Sequence, residues 1–84
     1  MEVKFFNAAW CGPCKQMKPH IDKLVSEGYS IQEVDIDQNP SLAELAEVRG
    51  VPTVSISENG VEVERLVGYE DYDRLKARLD IYKK

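Results

Sequence analysis

The segment Trp10-Cys11-Gly12-Pro13-Cys14-Lys15 follows a short apolar run, Val3-Lys4-Phe5-Phe6, and precedes a stretch with helical spacing. The chain must therefore pass from strand to helix at the point where it carries its only two cysteines. Gly12 and Pro13 suit a tight entry into a helix, because proline is tolerated in a first turn where its missing N–H would have had no partner. Cys11 then stands at the helix N-terminus, where aligned peptide dipoles and free N–H groups favour a thiolate. Cys14 falls one turn later on roughly the same side, with a better satisfied amide and a more enclosed sulfur.

This arrangement points to a dithiol/disulfide redox centre. Metal sites normally use four Cys or His ligands, and two cysteines plus His20 fall short, so no metal is expected. Only a thiolate attacks a disulfide, which makes Cys11 the expected nucleophile and Cys14 the resolving thiol that displaces the partner from a mixed disulfide. Lys15 either adds positive potential beside the pair or is an exposed helix lysine. At about 100° per residue His20 lies on the opposite side of the helix from Cys11 and reads as a surface histidine. Trp10, next to an exposed site, reads as part of a flat apolar patch for docking partners.

The 84 residues, 43% hydrophobic and 31% charged, are expected to form one soluble domain over positions 1–84. A chain of this size buries only roughly 60 to 65% of its unfolded surface, so each apolar face matters. A net charge of −4, without basic residues alternating with aromatics, argues against nucleic acid as the ligand. The start Met-Glu-Val-Lys leads straight into a strand, without a signal h-region or transit peptide, and no apolar stretch approaches membrane length. Neither end carries a lipidation signal. The expectation is a cytoplasmic protein, and in a reducing compartment a lone cysteine pair is more often catalytic than structural.

Periodicity gives the remaining order. Residues 2–6 read as a strand, and 11–27 as a helix with Cys14, Met17, Ile21, Leu24 and Val25 on one stripe, bent at Pro19 and ended by Gly28. Residues 30–36 read as a second strand. Asn39-Pro40 is a cap with a first-turn proline, opening a short helix through Leu42, Leu45 and Ala46 that stops at Gly50. Runs 53–58 and 61–66 flank Asn59-Gly60, the strongest short hairpin signal. A last helix over 69–82 places Tyr72, Leu75, Leu79 and Tyr82 on one face, with Glu70, Asp71 and Asp73 early and Lys83 and Lys84 late, as the helix dipole prefers. The order is β-α-β-α-β-β-α.

With that order, the Trp10–Lys15 motif, Pro19, Asp37-Gln38-Asn39-Pro40, Arg49-Gly50-Val51-Pro52-Thr53, Asn59-Gly60 and Val67-Gly68 together resemble the thioredoxin family over essentially the whole chain. The resemblance implies an α/β thioredoxin-like fold: a four-stranded mixed sheet of order 2-1-3-4 with three helices. It implies a cis bond before Pro52, facing the two sulfurs. Such a proline lacks an N–H and leaves the backbone of residue 51 free to pair with an extended substrate. It further implies reduction of protein disulfides through Cys11 and Cys14, supported by Gly12, Pro13 and Lys15, with clients docking on Trp10, Val51, Pro52 and Gly68. The implied partners are disulfide-containing clients and a thioredoxin-reductase-type enzyme that supplies the reducing equivalents to a monomer with no bound cofactor.

Two departures from the family pattern matter. Full-length members begin with an additional strand and helix, whereas this sequence starts at the strand leading to the motif, giving a sheet like that of the smaller glutaredoxins. The sheet face without that helix should then tolerate polar residues, and Lys4, Ser55 and Ser57 share the fitting parity while Val3, Phe5, Val54 and Ile56 share the other. Secondly, thioredoxins commonly carry a buried aspartate six residues before the first cysteine, and here that position is Phe5. The neighbouring-strand position that often holds a lysine is Glu33, which either accepts the Cys14 proton in its place or is a solvated edge-strand glutamate. Two rival functions remain open: a glutaredoxin-like, glutathione-dependent reductant, and a redox-independent binding subunit. The Cys-Gly-Pro-Cys motif and Gly68-Tyr69, in place of a Gly-Gly pair, weigh against the first.

Overall fold

A computed structural model describes residues 1–83; Lys84, expected at the end of the last helix, lies outside the described residues. The elements are β1 (Glu2–Asn7), α1 (Gly12–Ser26), β2 (Ile31–Asp35), α2 (Pro40–Leu45), β3 (Thr53–Glu58), β4 (Val61–Val67) and α3 (Tyr72–Tyr82). The sheet has the order β2-β1-β3-β4, with β1 parallel to β2 and the β1–β3 and β3–β4 pairs antiparallel. β1 is thus flanked on both sides, and its Val3, Phe5 and Phe6 are all buried.

Alternation divides the sheet into two unlike faces. On one, Val3, Phe5, Val54 and Ile56 join Cys14, Met17, Ile21 and Leu24 of α1 and Leu75 and Leu79 of α3 in a single core cluster. Each fully buried side chain of this size contributes about 1.5–3 kcal/mol relative to exposure. On the other face, Phe6 is in register with Val34 and Thr53, and all three are buried beside the site end of the sheet. Further along that face the residues turn polar. Ser55, buried and opposite Arg65, donates to Glu62 Oε1 at 2.7 Å, and Arg65 Nε donates to the same oxygen at 2.8 Å. Arg65 also donates to the carbonyls of Ala46 and Glu47, fastening the end of α2 to the sheet. The polar parity is therefore only partly as expected: Phe6 shares it with Lys4 yet is fully buried.

Local signals explain most boundaries. α1 ends in a Schellman motif: Gly28 adopts φ +104°, its N–H donates to Val25 O, and the Tyr29 N–H donates to Leu24 O. Tyr29 and Leu24, the hydrophobic pair of that motif, are both in the core. The hairpin turn has positive φ at both Asn59 and Gly60, as a type I′ turn requires.

Three expectations shift. α2 stops at Leu45 rather than at Gly50, because Glu47 takes the left-handed position (φ 55°) and Val48 N–H donates to Ala43 O, the same motif built without glycine. α3 begins at Tyr72 rather than at residue 69, because the Asp71 carboxylate caps it by accepting from Arg74 N–H at 2.9 Å. Val25 fits the apolar stripe by angle but, in the last turn of α1, is left 46% exposed.

Candidate redox site

β1 ends at Asn7, and the chain turns so that Cys11 N–H donates to Ala8 O at 3.1 Å. Cys11 is the N-cap of α1 with extended backbone (φ −88°, ψ 107°), and its Sγ accepts from Cys14 N–H at 3.2 Å. A sulfur so placed faces the unpaired N–H groups of the first turn, an environment that favours the thiolate in the reduced protein. Cys11 and Cys14 are joined as a disulfide, with Cα atoms 5.3 Å apart. Gly12 and Pro13 occupy the first helical turn, exposed. The two cysteines are each 4% exposed, so the expected difference in enclosure is not a difference in accessible area. Their asymmetry lies in helix position, with Cys11 outside the first turn and Cys14 inside it.

The surroundings assemble from four loops and elements. Trp10 is 67% exposed, and its Nε1 donates to Asp37 Oδ2 at 2.8 Å. Asp37 is itself presented by a turn in which Asp35 Oδ1 accepts from the N–H groups of Asp37 and Gln38. Val51 packs against the core cluster that contains both cysteines. Pro52 is buried after a cis Val51–Pro52 bond, and its carbonyl accepts from Gly68 N–H at 2.9 Å, joining the Val51-Pro52 and Gly68 segments. His20 is partly exposed, with Nε2 3.0 Å from the Tyr69 hydroxyl in the loop after Gly68.

On the other side of the disulfide lies a groove of about 280 Å³ lined by Phe5, Asn7, Ala8, Ala9, Cys14, Lys15 and Lys18. Phe5 forms its wall where the family pattern would put a carboxylate. Glu33 is in register with Phe5 on the adjacent strand, and its carboxylate meets the Lys18 ammonium at 2.8 Å. Lys18 also binds Asp22 one turn along α1 at 2.8 Å. The hydrogen bonds that the Lys18 ammonium donates to Asp22 and then Glu33 hold its pKa above the ordinary value. The sequence motifs do not mark Lys18 as a site residue, and Asp37 enters only as part of the Asp37-Gln38-Asn39-Pro40 motif. The i,i+4 spacing from Cys14 to Lys18 and on to Asp22 is the signal that marks the first; nothing local marks Asp37 as the Trp10 partner.

Among the described residues no group of three His, Cys, Asp or Glu side chains could hold a metal ion. No helix there is long and apolar enough to cross a membrane.

A mixed four-stranded sheet with a Cys-x-x-Cys disulfide at the N-cap of the helix following its central strand defines a protein of the thioredoxin-like class. The sequence model of the thioredoxin family matches residues 2–81, and the chain belongs to that family. It is 43% identical over 77 residues to the mitochondrial thioredoxin of Mus musculus, covering 88% of this chain but 46% of that sequence. The thioredoxin of Chlamydia trachomatis is 44% identical over 72 residues, 83% of this chain and 71% of the relative. The chain thus spans under half the length of the mitochondrial relatives. A solved thioredoxin from Fasciola hepatica superposes with a TM-score of 0.90 at 32% identity, covering 98% of this chain and 80% of that one. A mutant thioredoxin from Halobacterium salinarum gives the same TM-score at 36% identity, over 99% and 74%.

Proposed function

We propose that the chain is a thiol-disulfide oxidoreductase that reduces protein disulfides, acting as one domain over residues 1–84 and as a monomer in the cytoplasm. The observation that carries this reading is the Cys11–Cys14 disulfide with Cys11 at the N-cap of α1, within a thioredoxin-family fold.

In the reduced protein the Cys11 thiolate attacks a client disulfide, forming a bond to one client sulfur and expelling the other. Cys14 then attacks Cys11 Sγ, the bond to the client breaks, and the client leaves as a thiolate that takes up the proton Cys14 lost. Two electrons have passed to the client, and a thioredoxin-reductase-type partner restores the dithiol, so the chain works as an electron carrier without a bound cofactor. Trp10, with Val51, Pro52 and Gly68, forms the docking rim. Lys15, Gly12 and Pro13 shape the first turn. Glu33 belongs to the site through its ion pair with Lys18, which lines the groove beside Cys14.

The test is turnover of insulin disulfides with NADPH and a thioredoxin reductase, set beside glutathione with glutathione reductase. The reading requires turnover in the first system and loss of it in Cys11→Ser. Turnover in the glutathione system alone would make the protein glutaredoxin-like, and a function surviving in the Cys11→Ser, Cys14→Ser double variant would make it a binding subunit.

A further inference from the structure

The groove beside Cys14 is walled by apolar side chains and carries cationic groups at its rim. Phe5, Ala8 and Ala9 supply the walls and Asn7 the only polar neutral side chain. The charged groups around Cys14 come from two elements. Lys15 and Lys18 of α1 line the groove with it, while Asp22 of α1 and Glu33 of β2 reach it only through Lys18. β1 contributes Phe5 and Asn7, and the β3 side of the cluster contributes Val54, none of them charged. Lys18 follows Cys14 by four residues and so stands above it on the same helix face. Two carboxylates, each at 2.8 Å, fix where its ammonium sits.

We propose that Lys18 is a positioning residue for the resolving step: its ammonium, held over the groove by Asp22 and Glu33, stabilises the Cys14 thiolate electrostatically. This rests on the disulfide-reductase reading above. A buried thiol is pushed towards its neutral form by desolvation, and the usual remedies are a nearby base or a nearby cation. With Phe5 closing the wall, no carboxylate among the described residues lines the groove, while Lys15 and Lys18 do, and of the two Lys18 is the one held by ion pairs. The bond changes of the resolving step are unchanged; Lys18 lowers the cost of the anion that starts it and takes no proton itself. Its two ion pairs keep it charged throughout the neutral range. Glu33 then acts on Lys18, and removing its charge frees the ammonium to act more strongly on the sulfur.

Titration of Cys14 alone, by ultraviolet thiolate absorbance in the reduced Cys11→Ser variant, reads the effect directly. Adding Lys18→Met, which keeps the alkyl stem, is expected to raise the Cys14 pKa by about half to one unit, towards the lower end of charge-pair shifts because the lysine is partly solvated. Lys18→Arg should restore it, and Glu33→Gln should leave it unchanged or lower it. In stopped flow with both cysteines present, Lys18→Met should slow mixed-disulfide release about 3- to 10-fold near neutral pH and less above the thiol pKa, with the first attack by Cys11 little changed. A Cys14 titration unmoved by Lys18→Met overturns the proposal, as does slower release in Glu33→Gln, which would make Glu33 the proton acceptor. Failure of the wild type to reduce insulin is a different result and would count against the function itself.

Discussion

The two faces of the sheet solve the problem of burial in different ways. The face under α1 and α3 is an apolar core continuous with the disulfide, while the other face has a small buried end at Phe6, Val34 and Thr53 and a polar remainder organised by Arg65. The first is held by area removed from water, which tolerates imprecise direction. The second is held by directed hydrogen bonds, each worth only about 0.5–1.5 kcal/mol net but costly when a partner is lost. A short chain can thus keep a sheet face without covering it in apolar side chains, provided its buried polar atoms are paired. Among the described residues every buried side-chain nitrogen and oxygen is.

The contrast breaks most sharply at Phe5, which is fully buried between β1 and the helices. Phe5→Ala should lower unfolding stability by about 3–5 kcal/mol in urea titrations. A loss below about 1.5 kcal/mol would mean the apolar face is not the main source of stability.

On the opposite face, Arg65→Met should cost about 1–2 kcal/mol, because the carbonyls of Ala46 and Glu47 and the Glu62 carboxylate lose their donor together. The distinctive signature is local. Hydrogen exchange should quicken in α2 while α1 stays protected; equal acceleration in both helices would contradict the division of labour.

Acid should also weaken the directed hydrogen bonds. Burial pushes Glu62 up, but hydrogen bonds from Arg65 and Ser55 outweigh it, and the Glu62 pKa lies below its ordinary value of 4.5. On the opposite, α3 side of the sheet, hydrogen bonds from Arg78 and then Tyr82 lower Glu64 likewise. A depressed folded pKa means stability present above the unfolded value and lost as pH falls through the folded one. Unfolding free energy should therefore decline from pH 4.5 downward, and less steeply in Glu62→Gln; parallel acid profiles for the two proteins would exclude Glu62 from that decline.

The smallest structural effect belongs to the exposed rim. Asp37→Ala removes the acceptor of Trp10 Nε1 and should change stability by no more than about 0.5 kcal/mol. Trp10 is the only tryptophan, so its fluorescence reports the change directly, and client reduction should fall a few-fold with it. An altered emission with unchanged client kinetics would remove Trp10 from the docking rim.

The parts of the fold legible in the sequence are those specified within a few residues. Asn59-Gly60 requires its turn, Gly28 its helix end, and the spacing of Cys14, Met17, Ile21 and Leu24 its buried stripe. The length of α2 is not legible in the sequence because Glu47 takes a conformation for which glycine is the usual marker, and the nearest following glycine is at position 50. The mixed character of the second face was also hidden. Phe6 is buried while Lys4 is only partly so, and the bonds that organise that face, such as Arg65 to the Glu47 carbonyl, span 18 residues of sequence. At the site, the cysteines and their helix position were readable from the motif. The Trp10–Asp37 and Lys18–Glu33 contacts were not, since each joins segments brought together only by the parallel β1–β2 pairing.

The most direct test of the central claim traps the intermediate. Reduced Cys14→Ser, mixed with a small protein disulfide, should accumulate a mixed disulfide that peptide mapping by mass spectrometry places on Cys11, while Cys11→Ser accumulates little or none under the same conditions. Faster capture by Cys14 in the Cys11→Ser protein, or no adduct on Cys11 from a wild type that still reduces insulin, would contradict the assignment of roles to the two sulfurs.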